Sequence, residues 1–125
     1  MAIRTKNRRR ITVNGREYIW YVMSEKEGGW PILHICDHEK DMRIRAPLSP
    51  YENYGKIERP FCYISYNIEK SKQGIFLLPF EVPYAVTPSV VAAILNGLHD
   101  NTFERTSYGE LIELNNHLWL FDMIF

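Results

Sequence analysis

A chain of 125 residues, 46% hydrophobic and 24% charged, holds enough apolar side chain to build one core, which excludes an intrinsically disordered protein. Fifteen basic residues balance fifteen acidic ones, so no net field steers the chain to nucleic acid or to a membrane surface. No run is apolar for long enough to span a bilayer, the basic N-terminus leads into polar residues, and Cys36 and Cys62 are too few for a disulfide framework. A cytoplasmic domain spanning residues 1–125, with no cofactor, is the expectation.

The basic residues Arg4, Lys6, Arg8, Arg9 and Arg10 all precede the first acidic one, Glu17. Residues 1–9 are therefore expected to form a basic, flexible arm that touches phosphates or stays solvated. The segment RRRITVNGREYIWYVM then sets Asn14-Gly15 between two β-rich runs, the composition of a type I′ hairpin turn. With those two residues at the turn, Val13 pairs with Arg16, Ile11 with Tyr18 and Arg9 with Trp20. Partners across an antiparallel pair share a face. Ile11, Val13, Tyr18, Trp20 and Val22 then make the core side, and Arg8, Arg10, Thr12, Glu17, Ile19, Tyr21 and Met23 a mixed, partly exposed side.

After the loop SEKEGGWP, the run ILHICDHEKDMRIRAPL reads as a second hairpin with Glu39 and Lys40 at its tip. In that register Ile35 faces Ile44, Leu33 faces Ala46, Cys36 faces Arg43 and His34 faces Arg45. A slip of one residue would exchange the two faces, and this tip lacks ideal turn residues. PLSPYENYGKIERP reads as an irregular connection, and FCYISYNI and GIFLLPFEV as two further strands around the polar EKSKQ. Pro79 lacks a ladder donor and marks an edge or a bulge.

VTPSVVAAILNGLHD is the clearest helix. Thr87 suits the N-cap and Pro88 the first helical position, while Asn96 and Gly97 signal the end. Val90, Val91, Ile94, Leu95 and Leu98 form one apolar stripe for the sheet's core face. In SYGELIELNNHLWLFDMIF, Ser107 and Glu110 have capping-box spacing, and Leu111, Leu114, Leu118, Phe121 and Phe125 repeat at helical intervals. Asn115-Asn116 interrupts that pattern and leaves a hairpin as the alternative. The fold expected is α+β: an antiparallel, meander-like sheet of five or six strands, packed by one helix over residues 88–98 and by a C-terminal helix or hairpin.

No Walker loop, G-x-G-x-x-G, G-x-S-x-G, H-E-x-x-H or paired C-x-x-C is present, so the familiar catalytic devices are absent and no catalytic residue is assigned. HICDH puts His34, Cys36 and His38 at alternate positions of a strand, the donor types that zinc favours. Arg43 and Arg45 stand opposite Cys36 and His34, however, and two fixed cations oppose a dication. They favour an anion instead. If the two hairpins are neighbours, Arg8, Arg10, Tyr21, His34, Arg43 and Arg45 make a basic and aromatic face suited to an acidic partner or to stacked, phosphate-bearing ligands. The plainer alternative is a solvated face, its cations balanced by Glu17, Asp37 and Glu39, with exposed histidines. Tyr51, Tyr54, Phe61, Tyr63, Tyr66 and Tyr84 crowd the middle of the chain, as interfaces and strands both do.

VNGREYIWYV resembles the opening hairpin, with its Tyr-x-Trp strand, of a group of small bacterial proteins; VTPSVVAAIL resembles their Thr-Pro-initiated helix, and LHICDHEKDMRIRAPL their second hairpin. That group has no assigned activity. The resemblance implies an architecture and a bacterial origin, and no catalytic residues. The functional expectation is a non-enzymatic binding module whose partner is another protein or a second copy, met through the apolar C-terminus. The alternatives are a nucleic-acid or anionic-ligand binder using the basic face, then a zinc protein using His34, Cys36 and His38.

Overall fold

Asn14 and Gly15 take φ of 53° and 75°, the left-handed values a type I′ turn demands. The hairpin they close joins β1 (Arg9–Val13) to β2 (Arg16–Ser24) and pairs Arg9 with Trp20, Ile11 with Tyr18 and Val13 with Arg16, the register expected. This computed structural model describes residues 8–24, 29–37, 39, 41–49 and 57–115. Arg9, expected in the basic arm, already belongs to the sheet; residues 1–7 lie outside the described residues.

β3 (Pro31–Asp37) and β4 (Met42–Pro47) form the second hairpin, again in the expected register, with Ile35 opposite Ile44 and His34 opposite Arg45. Its tip is organised by Asp37, whose buried carboxylate accepts from the amides of Asp41 and Met42 and from Arg16 at the start of β2. One side chain thus supplies the turn chemistry that the tip sequence lacks. β5 (Phe61–Asn67), β6 (Gly74–Leu77) and β7 (Glu104–Thr106) complete the sheet, with a 3-10 turn at Lys70–Lys72 between β5 and β6.

Among the described residues each strand pairs antiparallel with the next, β1 to β7 in order, so the meander topology holds with seven strands and not five or six. The additional strand is β7, three residues long and too short to show alternation. β6 ends at Leu77, so Pro79 follows the strand instead of interrupting it.

α1 (Pro88–His99) buries Val91, Ile94 and Leu95 against Val13, Trp20, Leu33, Ile35, Ile44, Ala46, Cys62 and Ile64. Val90 and Leu98 pack at the margin of that cluster, so the whole predicted stripe is engaged. Val22, expected in the core, is 40% exposed near the far end of β2. The Thr87 hydroxyl makes no cap bond and sits 3.3 Å from that of Ser89. Gly97 does not end the helix. It is buried where a Cβ would lie 2.0 Å from the Phe103 ring, so its role is close approach. The end comes at Asn101, with φ of 56°. Asn14 donates to Asn96 at 3.0 Å, tying the first hairpin's turn to this helix.

α2 (Tyr108–Leu114) is a helix, as the capping-box reading expects, and the Ser107 hydroxyl accepts from the Glu110 amide at 3.1 Å. It covers the opposite face of the sheet, where Leu111 joins Trp30, Ile32, Ile57, Phe61, Ile75 and Leu77. Asn115 ends it with a purpose: fully buried, it accepts from the Arg59 amide at 2.9 Å and donates to the Leu111 carbonyl. The heptad-like residues Leu118, Phe121 and Phe125 lie outside the described residues.

Candidate anion-binding face

Pairing of β2 with β3 puts Tyr21 opposite His34 and Ile19 opposite Cys36. Pairing of β3 with β4 extends those rows to Arg45 and Arg43, and β5 adds Tyr63 and Tyr66. Two rows therefore cross the face away from α1. One runs Tyr21, His34, Arg45, Tyr63; the other runs Arg10, Ile19, Cys36, Arg43, Tyr66. Among the described residues, neither row holds a carboxylate.

Strand pairing puts most of the expected residues on one face, while His34, Arg10 and Asp37 sit otherwise than expected. His34 is buried, 1% exposed, where the solvated-face reading left it in water. Its ring stacks on Tyr21 at 4.9 Å between centroids and 10° between planes. Burial, then Arg43, then Arg45 push the imidazole from its ordinary 6.5 down to about 4, against a hydrogen bond with the Met23 backbone. At neutral pH it is uncharged. Arg8 lies over the outer side of this stack, its guanidinium carbon 5.6 Å from the centre of the Tyr21 ring.

Arg43 is part-buried on this face. Its guanidinium donates to the Tyr21 hydroxyl at 3.5 Å, while its Nε is buried with no acceptor among the described residues. Arg10 belongs less to the face than expected, because it pairs with Glu17 at 3.4 Å on the exposed edge. Asp37, proposed as a counter-charge, points to the α1 side and serves Arg16.

Two residues of this face escaped the sequence reading, Tyr63 and Tyr66. Strict alternation from Ile64 would place Tyr66 on the α1 side. A bulge at Ser65 shifts the register between Ile44 and Arg43, so that Tyr66 comes opposite Arg43 and Asn67 opposite Met42. The only sequence signal was the clustering of tyrosines.

His38 lies outside the described residues, and among those described no three potential ligands gather around a metal position. Cys62 faces α1, fully buried, and its thiol is pushed up to about 12. Among the described residues no helix is long and apolar enough to cross a membrane. No family model, curated protein or solved structure matches the chain.

Proposed function

We propose that this domain is a non-enzymatic binding module that holds an anionic group of its ligand on the Arg8, Arg43 and Arg45 face. The observation that carries this reading is Arg43: a part-buried guanidinium whose Nε meets no acceptor among the described residues, two positions from Arg45 on one strand. A buried donor without an acceptor costs roughly 1–3 kcal/mol, and a bound oxyanion recovers that cost. Alternate residues of a strand sit roughly 6–7 Å apart, close enough for both guanidinium groups to meet one oxyanion. Tyr21 and His34 are already stacked and buried, so their part is to hold the arginines and not to receive bases.

The test is a tryptophan-fluorescence or calorimetric titration with inorganic phosphate and pyrophosphate at low salt. Binding that weakens with salt and falls at least tenfold in Arg43→Ala and Arg45→Ala is the expected result. No binding, or binding indifferent to both substitutions, overturns the reading. Leu118, Phe121 and Phe125, on which self-association through the apolar C-terminus depends, lie outside the described residues.

A further inference from the structure

We infer that the outer edge of β1 takes up an extended acidic segment of a partner protein as an added strand, paired antiparallel to Arg9–Val13. This goes beyond the anion face and stands without it, because it uses the β1 backbone and neither Arg43 nor Arg45.

Three observations carry it. First, the edge is open. β1 ends the strand order of the sheet, and among the described residues nothing pairs with it on the side away from β2. Val13 and Arg16 close the tight turn as a hydrogen-bonded pair, and such pairs alternate along an antiparallel ladder, so Ile11 and Arg9 also bond to β2. The amides and carbonyls of Arg10 and Thr12 therefore point outward, and both residues are exposed.

Second, the edge is basic. Arg8, Arg9 and Arg10 are all exposed along it, and Glu17, 3.4 Å from Arg10, is the carboxylate that meets them among the described residues. Arg16, the other cation of this hairpin, is taken by Asp37. Arg8 and Arg9 lie back over Tyr21 and Trp20, on opposite sides of the sheet, which leaves the backbone edge clear and keeps their charge beside it. Cations on an edge strand discourage pairing between like strands. A second copy would bring its own arginines to this edge, whereas an acidic strand is drawn to it.

Third, the edge has an apolar margin. Ile11 is only partly buried at the border of the α1 cluster. Partners across a ladder share a face, so an apolar residue opposite Ile11 extends that cluster, while acidic residues opposite Arg10, Arg9 and Arg8 meet the cations. Main-chain hydrogen bonds give such a complex its affinity and the side chains its selectivity.

The experiment titrates the end-blocked peptide Val-Thr-Val-Glu-Glu-Glu into the full chain at low salt, by calorimetry and by amide hydrogen exchange in NMR spectra. Saturable binding that slows exchange of the Arg10 and Thr12 amides is expected, with the peptide Val-Thr-Val-Lys-Lys-Lys about tenfold or more weaker. Thr12→Pro removes an outward amide and no bond to β2, so it should abolish binding while circular dichroism stays that of the wild type. Absence of binding, equal affinity for the two peptides, or unchanged exchange at Arg10 and Thr12 overturns the inference. So does a dimer of the full chain in sedimentation that Thr12→Pro dissociates, since a second copy then holds the edge. If Thr12→Pro does not fold, the lysine peptide and the exchange pattern decide. The phosphate titration of the anion face is a separate measurement, so either reading can fail alone.

Discussion

The two sides of the β3–β4 hairpin are built on the same backbone and differ in almost everything else. Toward α1 the hairpin presents Leu33, Ile35, Ile44 and Ala46, all fully buried in one apolar cluster. Toward the other side the intervening residues are His34, Cys36, Arg43 and Arg45, with Arg43 and Arg45 only half-buried. An apolar face is stabilised by area removed from water, without regard to direction. A polar face that is also buried must satisfy charge and hydrogen bonding group by group. The first side therefore tolerates change in proportion to volume, and the second in proportion to charge.

The largest expected effect breaks the apolar side. Leu33→Ala removes a fully buried side chain beneath α1 and should cost about 3 kcal/mol in a urea unfolding titration, within the range for such truncations. The opposite side should show a dependence on pH that the apolar one lacks. His34 takes its proton near pH 6.5 when unfolded and near 4 when folded, so between those values the unfolded chain binds more protons and stability falls as pH falls. The stability difference between the wild type and His34→Gln should shift against the wild type by about 3 kcal/mol between pH 7 and pH 4. An unchanged difference would mean that the ring is not held away from its proton.

Asp37→Ala tests whether the tip between the two sides needs its carboxylate. It leaves the Asp41 and Met42 amides without their acceptor and should cost about 2 kcal/mol, read from the denaturation midpoint. Replacing Val22 should do least. At 40% exposure, Val22→Thr is expected to stay within about 0.5 kcal/mol of the wild type, whereas an equivalent change at Ile35 on the neighbouring strand should not.

Much of this architecture was legible in the residues because local rules and tertiary demand agree. Asn14-Gly15 dictates its own turn and hence the register of the first hairpin. The alternation of Leu33, His34, Ile35 and Cys36 against Met42 to Ala46 left one register that buries a continuous apolar face. The spacing of Val91, Ile94 and Leu95 specified the covered side of α1, and Ser107 with Glu110 the start of α2. The arginines were placed on one face by the same parity argument.

Tertiary structure decided what alternation cannot encode. A bulge at Ser65 adds one residue and reverses parity beyond it, so Tyr66 joined the basic face against its pattern. β7 is held by β6 and by Arg105, which donates to the Ser71 and Gln73 carbonyls, and not by any propensity of three residues. The burial of His34 depends on what lies above it in space, which a polar residue in an alternating strand does not reveal. Periodicity fixes direction along a strand, because geometry repeats every two residues. How deeply each face is covered depends on contacts between segments far apart in the chain, and only the folded molecule brings those together.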